Sequence, residues 1–159
     1  RSATVGMPIE ESATAPFTSG NVLLSHNGRI RPDAVRGLLE KDPDPLGPES
    51  RCDSAVLAAV VFSRLARGSD LADTIAAVVV EAGAADPEAR LNLLATDGTT
   101  IVGSTWGDTL SYRTLTDETR GSGTEIASEP DDDDPSWVDV PDRRLIVARE
   151  LTLTLRSLT

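Results

Sequence analysis

Two apolar helices in immediate succession, each opened by an aspartate, set the strongest limit on how this chain can fold. Asp53 stands at an N-cap position, and Val56, Leu57, Val60, Val61 and Leu65 follow at helical spacing up to Gly68. Asp70 then introduces LADTIAAVVVEAGA, with an equally wide apolar face. Two such faces side by side need a flat, apolar surface to cover. That surface follows directly in the chain, where RLNLLATDG and TTIVGSTWG flank Asp97-Gly98 as two strands joined by a two-residue hairpin turn. Further strands are expected over 109–114, 124–128, 143–149 and 151–155, pairing mainly antiparallel.

Upstream, NVLLSH is a short apolar run ended by Asn27-Gly28, which reads as a buried strand stopping in a tight turn. Pro32 opens RPDAVRGLLE as a first-turn proline and predicts a short helix with Val35, Leu38 and Leu39 on one face. Residues 41–51 hold too many prolines and glycines for a regular element, and 116–123 and 130–135 read as polar and acidic loops. Helices followed by a run of strands predict an α+β fold, helices layered on antiparallel sheet, as one domain over 1–159. At 159 residues and 39% hydrophobic content, the chain can bury a continuous core.

Charge narrows the partners. With 26 acidic against 15 basic residues the formal charge is −11, which repels phosphate backbones and anionic lipid surfaces, so neither nucleic acid nor membrane is expected as a partner. No apolar run reaches the length of a membrane span. Cys52 is the only cysteine, which excludes an internal disulfide and predicts a reducing, cytoplasmic setting. The first residue is Arg1, and RSATVGMP reads like a strand end running into a loop, so a preceding native segment is expected.

Three places carry candidate chemistry. His26-Asn27-Gly28 suits a plain turn, yet an Asn amide and an unhindered Gly N–H can also converge on one point and stabilise an oxyanion. Arg1, followed by small residues and Thr4, offers a planar fork and a nearby hydroxyl to a carboxylate. Asp53 can cap its helix or hold an ammonium group. Together these would grip a free amino acid at both charged ends and aim its side-chain carbonyl at the oxyanion donors. The acidic run Asp131–Asp134 matches no calcium-loop spacing, so no metal or cofactor is expected.

Arg1-x-x-Thr4-x-Gly6, Ser25-His26-Asn27-Gly28 and Asp53-Ser54-Ala55-Val56 resemble, in order and spacing, the successive glutamine-site motifs of class II glutamine amidotransferases, which are N-terminal-nucleophile hydrolases. Within them, LLSHNG, CDSAVLAAVVFSR, ARLNLLATDG, TWGDTLSY and IASEPDDDDPSWVDVPDR look most like the γ-glutamyl hercynylcysteine S-oxide hydrolases of ergothioneine biosynthesis. The resemblance implies a four-layer αββα sandwich, here N-terminally incomplete, in which 1–159 is the C-terminal part of one type-2 amidotransferase domain. It implies hydrolysis of a γ-glutamyl amide in a small molecule, through a thioester on an N-terminal cysteine that lies outside this chain. By the same matching Asn27 and Gly28 form the oxyanion hole, Arg1 holds the glutamyl α-carboxylate with support from Thr4, and Asp53 holds the α-amino group. His26 stands beside the hole as scaffold on the substrate side. Trp106 is either a core residue or a platform for the substrate's trimethylated cation. Two rivals stay open: the glutaminase part of an ammonia-transferring synthase, and a non-catalytic module that binds γ-glutamyl ligands.

Overall fold

The computed structural model describes residues 9–117, 121–150 and 152–159. A six-stranded sheet runs in the order β1 (Phe17–Ser19), β2 (Val22–Arg29), β3 (Arg90–Thr96), β4 (Thr100–Thr105), β8 (Arg144–Arg149) and β9 (Thr152–Ser157). A second sheet has β5 (Ser111–Asp117) between β6 (Gly121–Ala127) and β7 (Val138–Asp139). Every pairing is antiparallel. Helices α1 (Pro32–Glu40), α2 (Asp53–Ala66) and α3 (Leu71–Ala85) stand between β2 and β3 in the chain.

Alternation along β8 shows how the layers stack. Leu145 and Val147 join the large core beneath the helices, with Leu91, Leu93 and Ala95 of β3 and Val102 of β4. Ile146, between them, points the other way into a smaller cluster with Tyr112 and Ile126 of the second sheet and with Leu110 and Val140 beside it. The described residues thus form helices, large sheet and small sheet, three successive layers of the expected sandwich.

The helices arise much as the sequence dictates. Pro32 occupies the first turn of α1, and the Asp70 side chain caps α3 by accepting from the Ala72 and Asp73 backbone amides. At α2 the cap is shifted. Cys52 is the N-cap, its Sγ accepting from Ala55 N at 3.4 Å, and Asp53 is already the first helical residue. Gly83 in α3 exists for packing. A Cβ there would lie 2.2 Å from Cζ2 of Trp106, so only glycine admits the indole against the helix.

Two further expectations change. The loop at Asp97-Gly98 spans three residues rather than two, and Asp97 Oδ1 accepts from the amides of Thr99 and Thr100. The His26-Asn27-Gly28 segment is not a turn. All three residues lie inside β2, paired with Leu93, Asn92 and Leu91. The strands expected over 109–114 and 124–128 begin and end a few residues away from β5 and β6, which leaves a shorter connection than the 116–123 loop.

Candidate active site

The end of β2 that carries Asn27 and Gly28 lies against the first residues of β3 and the N-terminus of α2. Gly28 has φ +144°, and a Cβ on it would fall 2.0 Å from the Arg90 carbonyl oxygen. That approach of backbone to backbone requires glycine. It also explains the misread turn, since the positive φ here serves close packing within a sheet.

Asp53 reaches the same place from the helix. Its Oδ2 accepts from Ile30 N at 3.1 Å and its Oδ1 from Ser54 N at 2.9 Å. The carboxylate is thereby fixed two residues past Gly28. An ionised carboxylate offers about four lone-pair sites. Two are filled by these backbone amides, and no Lys or Arg pairs with Asp53 among the described residues. The remaining capacity is suited to an ammonium group. This use of the carboxylate is also why Cys52 has the capping role.

His26 and Asn27 point to opposite faces of the sheet. Asn27 is exposed, on the face that looks towards the small sheet, and its cross-strand neighbour is Asn92. Asn92 is buried and engaged at both ends of its amide: Nδ2 donates to Thr109 O at 2.5 Å, and Oδ1 accepts from Trp106 N at 3.2 Å. Those two bonds fasten β3 to the segment between β4 and β5, beside the Asn27 amide, which has no partner among the described residues. In sequence, Asn92 shows only as a polar residue inside an apolar strand.

His26 turns inward. Its Nδ1 lies 3.0 Å from Ser54 Oγ and its Nε2 lies 3.0 Å from Arg90 O. Burial lowers its pKa below the usual 6.5, more than the Arg90 carbonyl and the Asp53 charge raise it, so the ring is neutral. With both nitrogens engaged, His26 ties elements together and has no ring nitrogen left for a ligand.

Trp106 does not form a platform. It is 9% exposed, its ring packs on α3 at Gly83, and the guanidinium of Arg143 lies 4.5 Å from the ring centroid. The protein's own cation already occupies the stacking position, so the core reading of Trp106 replaces the substrate-stacking one. Cys52 is fully buried. As the α2 cap it is not presented to any substrate. Arg1 and Thr4 lie outside the described residues.

The acidic stretch is likewise built into the fold. Arg113 pairs with Asp132 at 2.9 Å, Asp131 at 3.6 Å and Glu125 at 2.7 Å, and stacks at 4.4 Å from the Trp137 ring centroid. Trp137 Nε1 donates to Asp132, and Asp134 accepts from Ser136 N. These contacts pin the loop to β5 and β6.

No family model matches the chain. It is 52% identical, over 99% of its length, to gamma-glutamyl-hercynylcysteine sulfoxide hydrolase of Mycobacterium tuberculosis, and 46% identical over 99% to the protein of that name from Mycolicibacterium smegmatis. It spans about three fifths of those relatives, 60% and 62%. Among solved structures it resembles a glutamine aminotransferase class-II domain protein from Silicibacter pomeroyi, with TM-score 0.63 and 21% identity, covering 93% of this chain and 72% of that one. It also resembles glutamine phosphoribosylpyrophosphate amidotransferase of B. subtilis, with TM-score 0.66 and 16% identity, covering 96% and 33%. The chain therefore shares the fold of class II glutamine amidotransferase-like domains and is a relative, over about 60% of their length, of the gamma-glutamyl-hercynylcysteine sulfoxide hydrolases.

Proposed function

We propose that this chain is the substrate-gripping part of an amidohydrolase that releases glutamate from γ-glutamyl hercynylcysteine sulfoxide. The observation that carries the reading is the bond from Ile30 N to Asp53 Oδ2, which fixes beside Asn27 and Gly28 a carboxylate with no cationic partner among the described residues. The identity to the mycobacterial hydrolases supports the substrate.

In this reading Asp53 accepts the glutamyl α-ammonium, and Arg1, with Thr4 beside it, takes the α-carboxylate. The γ-carbonyl then faces Asn27 Nδ2 and Gly28 N–H. A cysteine thiolate at the polypeptide's N-terminus, outside residues 1–159, attacks the γ-carbon. The negative charge that develops on the carbonyl oxygen is met by those two donors. Collapse breaks the C–N bond, the amine leaves with a proton from the cysteine's own α-amino group, and water hydrolyses the thioester to glutamate. A lone buried thiol suits a reducing cytoplasm.

The test is glutamate release from γ-glutamyl hercynylcysteine sulfoxide by the polypeptide extended to the full length of its relatives. Asn27→Ala should lower kcat by about 100- to 1000-fold, the usual loss for one oxyanion donor. Asp53→Asn should act mainly on KM. Glutamine consumption that appears only when a synthase is added, with no release from the γ-glutamyl thiohistidine compound, would transfer the chain to the ammonia-channelling alternative.

A further inference from the structure

We infer that Ser54 is a positioning residue for this reaction: through His26 it ties the Asp53 end of α2 to the β2–β3 pair that presents Asn27 and Gly28. The inference rests on the amidohydrolase reading for its functional consequence and on geometry for its existence.

Hydrogen-bond roles at His26 admit one consistent assignment. The Arg90 carbonyl can only accept, so Nε2, 3.0 Å away, carries the ring proton. A neutral imidazole then has a bare Nδ1, which must accept, and the Ser54 hydroxyl 3.0 Å away donates to it. The hydroxyl's other neighbour, Asp53 Oδ1, is farther at 3.5 Å and already accepts from Ser54 N. Ser54 Oγ therefore spends its single proton on His26.

Both ends of this link touch the site. Ser54 follows Asp53 in the chain, and His26 precedes Asn27. The oxygen to which His26 donates is the same Arg90 carbonyl against which Gly28 packs. Capping does not need the Ser54 hydroxyl, since Cys52 Sγ and the Asp53 carboxylate already meet the first amides of α2. Its role is to set the amine-holding carboxylate at a fixed distance from the oxyanion donors, a setting on which a shift of about 1 Å can cost 100-fold.

Two measurements test it. In this chain His26 is the only histidine, so long-range proton–nitrogen NMR correlations report on one ring alone. The wild type should show the proton on Nε2, and Ser54→Ala should shift the Nδ1 resonance while Ser54→Thr, which keeps the hydroxyl, restores it. In the full-length polypeptide, Ser54→Ala should lower kcat/KM for the γ-glutamyl substrate by about tenfold or more, mainly through KM, with rescue by Ser54→Thr. A proton on Nδ1, or an Nδ1 resonance indifferent to Ser54→Ala, overturns the inference. So does Ser54→Ala with unchanged kcat/KM while Asp53→Asn and Asn27→Ala are impaired. If those two controls hydrolyse normally, the amidohydrolase reading of the site fails instead, and the NMR result still decides whether the link exists. Should Ser54→Ala unfold, a Ser54→Thr variant that folds yet loses kcat/KM as Asp53→Asn does counts against it.

Discussion

The two faces of the six-stranded sheet are stabilised by different physics. The helix-facing side is a continuous apolar layer, in which Leu91, Leu93, Leu145 and Val102 meet fully buried residues of α2 and α3 such as Leu57, Val60, Ile75 and Val78. The opposite side has a small cluster around Ile146 and the polar link from Asn92 to Thr109, and the small sheet stacked on it is itself held by charge, Arg113 to Glu125 and the acidic loop. The candidate site uses both. His26, which must not move, points into the dry side, and Asn27, which must meet a ligand, points to the wetter one. A rigid core thus supports donors that remain open.

Adjacent residues of β8 give the sharpest way to break this comparison. Leu145 and Ile146 are both 0% exposed but face opposite sides. Truncating a buried Leu or Ile to Ala costs about 2–5 kcal/mol, depending on how far the surroundings can collapse. Leu145→Ala, in the close-packed helix layer, should fall near the top of that range and Ile146→Ala near the bottom, measured from urea unfolding midpoints. Equal losses would mean that the two faces contribute alike.

A pair of helix glycines comes next, and here the sign separates dense from open surroundings. An alanine in a helix interior is better than glycine by about 1 kcal/mol. At Gly37 of α1 a Cβ meets nothing within 4 Å, so Gly37→Ala should stabilise by roughly 0.5–1 kcal/mol. At Gly83 the Cβ would meet the Trp106 ring at 2.2 Å. Gly83→Ala should therefore destabilise, by about 1–3 kcal/mol of overpacking. A thermal shift of the same sign for both variants would show that Trp106 can move aside and that the helix layer is looser than described.

His26 adds a pH dependence to the dry side. Its pKa is lowered chiefly by burial, with the Arg90 carbonyl and Asp53 as the opposing groups. Below 6.5 the unfolded chain takes up a proton that the folded chain resists. Stability is therefore full above pH 6.5 and is lost as pH falls towards the lower native value, by at most about 1.4 kcal/mol per pH unit. Asp86 acts lower down. Burial raises its pKa, but bonds from Arg31 N and Glu88 N outweigh this, so its contribution is present above about pH 3.8 and lost below. Urea midpoints between pH 5 and 6.5 should thus fall in the wild type and flatten in His26→Gln. An equal slope in both would place the titrating group elsewhere.

Sequence reading reached the layers because local signals and tertiary demands agreed there. The Asp70 cap, the Pro32 start and the apolar faces of α2 and α3 each needed only neighbouring residues to be read. It failed where a distant partner decides. Asn27-Gly28 has the composition of a turn, but Arg90, remote in the chain, makes the glycine a packing site within β2. Asp53 has the look of a cap, but Cys52 is the N-cap of α2, and the Asp53 carboxylate is shared between Ser54 N in the first turn and Ile30 N, remote in the chain. Strands β1 and β7, three and two residues long, are too short to show any periodicity. Asn27, Gly28 and Asp53 stood out as motifs, and the structure brings them to one end of β2. The parts played by Ser54 and Asn92 did not, because a hydroxyl or amide serving a neighbour looks in sequence like any polar residue.

The smallest global effect is expected from the most conspicuous charge. Arg113 faces Glu125 across the β5–β6 pair, reaches Asp131 and Asp132, and lies over Trp137, and the side chains on Asp132 and Glu125 raise its already high pKa further. These partners are half exposed, so salt screens them and their net contribution to global unfolding is small. What Arg113 controls is local. It joins two strands of the small sheet to the acidic loop, a region with few apolar contacts to resist opening. Arg113→Met should therefore leave the urea midpoint nearly unchanged while speeding amide hydrogen exchange in β5, β6 and the 130–137 loop. About 1 M salt should do the same to the wild type. The β2–β3 amides around Asn27 should stay protected in both cases, because His26 and the helix layer hold them from the other face. If Arg113→Met loosens β2 as well, the two faces are coupled, and the open side carries part of the rigidity assigned here to the dry one.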